Sequence, residues 1–175
     1  MKITISSLPG AGSSTAARLL ASAFHIPRID AGDLWDEIAA ERNLDVLGLN
    51  RAAEKDRSID IALDEKMLEY ARSSGDLLLE ARLIGWLCKR HGIPAFKVWV
   101  ACPLLVRAER VATRERAETK QIVRETEERE ASEAKRFQMY YGIDIYDLSA
   151  YDLIVDSEKL EPTGIVERIR ERLPH

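Results

Sequence analysis

Cysteine and histidine are scarce here: the 175 residues hold two cysteines, Cys88 and Cys102, and three histidines. The cysteines form neither a CxxC pair nor a His-interleaved metal pattern. That excludes a disulfide framework or zinc site and leaves two free thiols in a reducing compartment. His25, His91 and His175 lack metal-like spacing and receive no role; the first two are expected near helix ends. No apolar run reaches membrane length, and the opening Met-Lys-Ile-Thr-Ile-Ser enters a strand pattern without the basic region and apolar stretch of a signal peptide. A cytoplasmic protein with no membrane partner is therefore expected. Broad positive charge is also missing. The formal net charge of -4 argues against a nucleic-acid partner held by phosphate neutralisation, while a small anion gathered by a local arginine cluster remains compatible.

What is present is a chain with 46% hydrophobic residues, enough for one α/β domain with a full core. Strand-like runs occur at Lys2 to Ser6, Asp76 to Glu80, Phe96 to Ala101 and Tyr151 to Val155. The later ones are nearly continuous in apolar residues, which goes with parallel strands buried on both faces. A helix is predicted from Thr15 to Phe24, and amphipathic segments follow at about 33–42, 46–56, 58–73, 103–115, 119–141 and 162–173. Strands alternating with helices predict a doubly covered, mostly parallel sheet. The charged stretch from Arg107 to Arg136 carries many acid–base pairs three or four apart. Taken residue by residue, that pattern also describes a solvated helix laced with weak ion pairs.

The chemistry begins at Ser7-Leu-Pro-Gly-Ala-Gly-Ser-Ser-Thr15, between the first strand and first helix. A Walker loop has Gly, four variable residues, then Gly-Lys and Ser or Thr; here Ser7, Gly12, Ser13 and Ser14 occupy those places. Gly10 and Gly12 permit a tight turn in which backbone N–H groups and a helix N-terminus cradle phosphate oxygens. Ser14 is the candidate hydroxyl ligand for Mg²⁺. Ser13 carries no positive charge, so arginines elsewhere must supply it. The nucleotide-binding candidates are Pro9, Gly10, Ala11, Gly12, Ser13, Ser14 and Thr15.

Together with Asp30-Ala-Gly-Asp33, Leu78-Leu-Glu-Ala-Arg-Leu-Ile-Gly-Trp86, Arg107-Ala-Glu-Arg110 and Tyr141-Gly-Ile-Asp144, this loop resembles the archaeal-type cytidylate kinases. The resemblance covers about residues 2 to 155, and a small hydroxyl residue at the lysine position is common in that family. It implies a P-loop NTPase fold, a three-layer α/β/α domain with a mostly parallel sheet. The core would take about residues 1–32, 74–106 and 142–175, a helical acceptor-binding insertion about 33–73, and an arginine-bearing lid about 107–141. The implied reaction is MgATP plus CMP or dCMP giving ADP plus the diphosphate. ATP and Mg²⁺ are then the expected cofactors, in a monomer or homodimer.

By the same resemblance Arg82 grips the acceptor phosphate, using a planar fork suited to two oxygens, and Arg110 and Arg114 face the transferred group. Spacing alone puts Arg107, Arg110 and Arg114 on one helical face, and Arg129 and Arg136 on another. Glu80 either orients Mg²⁺-bound water or is a strand-end carboxylate paired with Arg82. Asp33 is either a base or ribose contact or the cap of the following helix. Trp35, Trp86 and Trp99 are expected in the core or lining a pocket.

The sequence departs from the family at two places. Ala81 stands where a glycine is usual before Arg82. Asp36 stands where the family usually directs an arginine at the acceptor phosphate, and a carboxylate there opposes a dianion. Either Asp36 turns outward or the acceptor differs: a neutral hydroxyl would tolerate an aspartate, even use it as a general base. A kinase for a nucleoside or other hydroxyl metabolite, and a non-catalytic nucleotide-binding module, are thus the alternatives.

Overall fold

The computed structural model describes residues 1–174, except for the side chain of Leu47; His175 lies outside the described residues. Five parallel strands, β1 (Lys2–Ser7), β2 (Arg28–Asp30), β3 (Leu77–Glu80), β4 (Phe96–Ala101) and β5 (Leu153–Asp156), lie in the order β2-β3-β1-β4-β5. Among the described residues eight helices connect or flank them: α1 (Ser13–Phe24), α2 (Ala31–Glu41), α3 (Val46–Ala53), α4 (Ser58–Arg72), α5 (Ile84–Arg90), α6 (Leu104–Glu115), α7 (Thr119–Tyr141) and α8 (Pro162–Arg170). The mostly parallel α/β sheet expected from the apolar runs is present.

Alternation along the strands sorts side chains into two cores. Ile3 and Ile5 of β1, Leu78 of β3 and Val98 and Val100 of β4 pack against Ala16, Ala17 and Leu20 of α1 and Ile165 and Ile169 of α8. Leu77 and Leu79 point the other way, onto Met67 and Ala71 of α4 and Ile84 and Cys88 of α5. Helices on both faces leave the carboxyl ends of β1 and β3 facing one crevice, where an open parallel sheet binds its ligands.

Two elements escaped the sequence reading. Three-residue β2 is too short to show a period, yet it pairs with β3 in the register Arg28 to Leu78 and Asp30 to Glu80. Helix α5 spans only 7 residues and continues from an apolar strand, so its pattern merges with that of β3. His25 and His91 cap the C-terminal ends of α1 and α5, as expected. Trp99 is in the core, its ring 5.2 Å from that of Tyr151. Cys88 and Cys102 are free thiols.

Candidate functional site

The loop between β1 and α1 turns at Gly10 and Gly12, with φ of 84° and 88°. A Cβ on Gly10 would stand 2.7 Å from the Arg107 carbonyl oxygen, so both the left-handed backbone and the close approach require glycine. No side chain caps α1, which leaves its first N–H groups to an anion. The two residues that break the Walker pattern meet each other, Ser7 Oγ and Ser13 Oγ being 2.7 Å apart. Fully buried Ser157 pins the loop from behind, its Oγ 2.9 Å from the Ala11 carbonyl oxygen and 3.0 Å from that of Ala101.

Ser14 Oγ donates to Glu80 Oε1 at 2.6 Å. The other oxygen of Glu80 accepts from Arg28 Nε at 3.0 Å and Nη2 at 2.7 Å, and Arg28 also pairs with Asp30. Burial pushes the Glu80 carboxyl up, while Ser14 and Arg28 oppose that. The Glu80–Arg82 pair, one of the two readings of Glu80, is not formed. Glu80 ends β3 beside β2, whose alternate residues Arg28 and Asp30 share a face, whereas Arg82 has already left the strand. Arg82 instead donates through Nε to Glu133 Oε2 at 2.7 Å and through Nη1 to the Ser7 carbonyl.

A cavity of about 730 Å³ runs from the loop past Arg82 toward α4. Its lining includes Pro9, Gly10, Gly12 to Thr15, Asp33, Asp36, Glu80, Arg82, Arg110, Arg114, Arg129 and Arg136, so nearly every candidate residue meets in one space. Ala11 is 1% exposed and turns away. Arg110 reaches back to the Ser157 carbonyl at 2.8 Å and the Ala11 carbonyl at 3.4 Å. Arg114, with a 71% exposed side chain, pairs only with its neighbour Glu115. Arg129 donates to Glu133 at 2.9 Å. Burial would raise the Glu133 carboxyl, but Arg82 and Arg129 more than reverse this and hold it at about 2.

Three expectations need correction. Arg107 does not join Arg110 and Arg114 in the cavity; it is 2% exposed and holds the carbonyls of Pro9 and Cys102 and the carboxylate of Glu130. Asp33 does not cap α2, because Asp30 does so by accepting from Gly32 N–H at 2.9 Å; Asp33 is exposed in the first turn. Arg136 is not a free lid charge: it makes a buried pair with Asp60, Nε to Oδ2 at 2.9 Å and Nη2 to Oδ1 at 3.3 Å. Asp36 is exposed on α2 at the cavity wall, and Trp35 lines the same wall.

At the α4 end lie two aspartates that sequence reasoning missed. Asp64 is 8% exposed and accepts from Tyr141 Oη at 2.6 Å. Burial pushes its carboxyl up to about 7, with the Tyr141 hydroxyl opposing. A carboxyl raised on folding contributes stability below its ordinary value and loses it as pH rises through the folded value. The Asp64→Asn variant cannot ionise. Relative to the parent it is expected to gain roughly 2–3 kcal/mol between about pH 4 and pH 8, read by urea unfolding of the ligand-free protein. An equal difference between the two proteins at both pH values would contradict this.

Residues 2–159 match the sequence model of the cytidylate kinase-like family. The chain belongs to that family. It is 43% identical over 166 residues to a cytidylate kinase of Haloarcula marismortui, covering 95% of this chain and 85% of that one. A cytidylate kinase of Methanococcoides burtonii is 40% identical over 173 residues, covering 99% and 97%. Among solved structures, an uncharacterised protein of Eubacterium ventriosum superposes with a TM-score of 0.74 at 18% identity, covering 98% of this chain and 96% of that one. Shikimate kinase of Bacteroides thetaiotaomicron gives 0.64 at 13% identity, covering 98% and 96%. These structural likenesses show the fold, a parallel α/β sheet covered by helices, while the family membership rests on sequence. In this cytidylate kinase-like chain the missed residues are Arg28, Asp60, Asp64, Glu133 and Ser157, and none has a spacing that marks it out.

Proposed function

We propose that this chain is a cytidylate kinase, transferring the γ-phosphoryl group of ATP to the phosphate of CMP or dCMP to give ADP and CDP or dCDP. The observation that carries the reading is the convergence of an uncapped phosphate loop and the side chains of Arg82, Arg110, Arg114 and Arg129 on one cavity. A lone binding module has no need of so many like charges, which repel one another unless a polyphosphate lies between them.

Phosphoryl transfer asks for positioning and charge stabilisation, with little covalent work by the protein. The loop N–H groups and the start of α1 hold the donor phosphates. With serine at the lysine position, positive charge comes from Arg110 and Arg114 on α6 and Arg129 on α7. Arg82 sits between the loop strand and α7, where it grips the acceptor phosphate. Ser14 Oγ and the Glu80 carboxylate form an all-oxygen donor set that suits Mg²⁺, directly or through water. Bound there, the ion would neutralise charge on the donor phosphates. In this reading α2 to α4 form the acceptor-binding insertion and α6 and α7 the lid.

Asp36 on the cavity wall favours a second reading, a hydroxyl acceptor. An acceptor panel separates the two: MgATP with CMP, dCMP, UMP, AMP, dTMP and cytidine, followed by ADP formation. Turnover is expected with CMP and dCMP, and none with cytidine. Turnover of cytidine alone would replace the proposal with a hydroxyl kinase.

A further inference from the structure

The α4 end of the cavity is built unlike the phosphate end. Asp60 and Asp64 lie one helical turn apart on α4 and are 4% and 8% exposed. Both line the cavity with Leu63, Arg136 and Phe137. Asp64 uses one carboxylate oxygen, Oδ2, to accept from Tyr141, and among the described residues its other oxygen has no protein partner. A nearly buried carboxylate with a vacant acceptor calls for a donor, because burial strips away the water that would otherwise serve it.

Beside it, Arg136 gives one N–H each from Nε and Nη2 to Asp60 and one from Nη1 to Ser132 Oγ at 3.1 Å. A guanidinium has five N–H groups, so two are left for a ligand. Asp60 and Ser132 fix the plane in which those two point. The wall therefore offers a fixed acceptor next to fixed donors, flanked by the apolar side chains of Leu63 and Phe137.

We propose that Asp64 and Arg136 read the Watson–Crick edge of a cytosine base, Asp64 accepting from the exocyclic amine and Arg136 donating to the ring nitrogen and carbonyl oxygen. This rests on the reading of the chain as a nucleoside monophosphate kinase and adds where the base is chosen. Cytosine presents a donor followed by acceptors, the complement of a carboxylate beside a guanidinium. Uracil puts a carbonyl oxygen where the amine was, so two acceptors meet in a nearly dry site. Adenine shares the amine-and-ring-nitrogen pair and differs in size, which makes uracil the informative comparison. Tyr141 is a positioning residue that sets the carboxylate's rotation, and Asp60 does the same for Arg136.

The test compares kcat/KM for CMP and UMP at about pH 8 in the full-length parent and in Asp64→Asn. An amide offers both a donor and an acceptor and can turn to suit either base. The CMP to UMP ratio is therefore expected to fall at least tenfold in the variant, with part of the change a gain on UMP. A ratio unchanged while both values drop together would mean that Asp64 only supports the fold, and would overturn the proposal. A measurement on the parent alone covers failure of the variant to fold: the monophosphate of pyrimidin-2-one riboside, which lacks the amine, is expected to fall at least tenfold below CMP, and parity with CMP would overturn the assignment. Turnover of no nucleoside monophosphate would defeat the kinase reading itself, whereas CMP turnover with an unchanged ratio defeats only the base-reading site.

Discussion

Arg82→Ala is expected to lower kcat/KM for CMP about a thousandfold, the scale reached when an arginine that steadies transferring phosphate charge is removed. The side chain stands at the junction of the site, with the loop strand on one side through the Ser7 carbonyl and α7 on the other through Glu133. Its guanidinium is held by neutral and anionic oxygens that an acceptor phosphate can join or displace. Arg82→Lys keeps the charge and loses the fork, so a loss of about tenfold to a hundredfold is expected there. The fold should survive both changes, because Glu133 keeps Arg129 as a partner at 2.9 Å; a cost of roughly 1–3 kcal/mol is expected from the lost bond to a buried carboxylate. Steady-state kinetics well below the melting temperature separates the two effects. An Arg82→Ala protein within threefold of the parent would remove Arg82 from the site.

The second large effect concerns stability. Arg107→Ala is expected to cost about 3–5 kcal/mol, because it removes a buried guanidinium, leaves two carbonyls without that donor and leaves Glu130 with the Tyr146 hydroxyl as its remaining donor. Arg107 Nη1 donates to the Pro9 carbonyl at 3.0 Å, Nε to the Cys102 carbonyl at 2.9 Å and Nη2 to Glu130 at 2.9 Å. It thereby ties the phosphate loop to α6 and α7 from underneath. Arg114→Ala makes the contrast, since its 71% exposed side chain pairs only with an adjacent glutamate and its removal should change stability by under about 0.5 kcal/mol. Urea unfolding of the three proteins reads this directly. A loss below about 1 kcal/mol for Arg107→Ala would show that the loop holds itself without the tether.

These two arginines show what was legible in the sequence. Arg82 follows an apolar strand within a recognisable run, and Gly10 and Gly12 fall at a strand-to-helix turn, so the elements that carry the proposed phosphate end were readable along with the parallel sheet. Arg107 was not, since its spacing from Arg110 and Arg114 gives the helical face but not the depth to which that face is covered. The same limit hid Glu133 and the depth at which Arg136 lies. Both sit in a stretch whose charge pattern describes a solvated helix, yet they are 7% and 4% exposed. Their partners, Arg82 and Asp60, come from distant elements, and no local period encodes such a meeting. Arg28 was lost for a different reason: a strand of 3 residues is shorter than the pattern used to find strands.

The altered Walker loop also has a physical account. Ser7 and Ser13 bond to each other across the turn, which replaces the first glycine and the lysine as a pair. In the proposed reaction the positive charge comes instead from side chains that approach from α6, α7 and the end of β3.

Whether the acceptor atom is a phosphate oxygen is read from the identity of the product. Purified protein would be incubated with MgATP and CMP, and the product examined by phosphorus NMR. Two mutually coupled phosphorus signals, as in CDP, are expected to appear in step with ADP. A new uncoupled phosphate ester on the sugar, or ATP consumed with CMP unchanged, would contradict the cytidylate kinase reading.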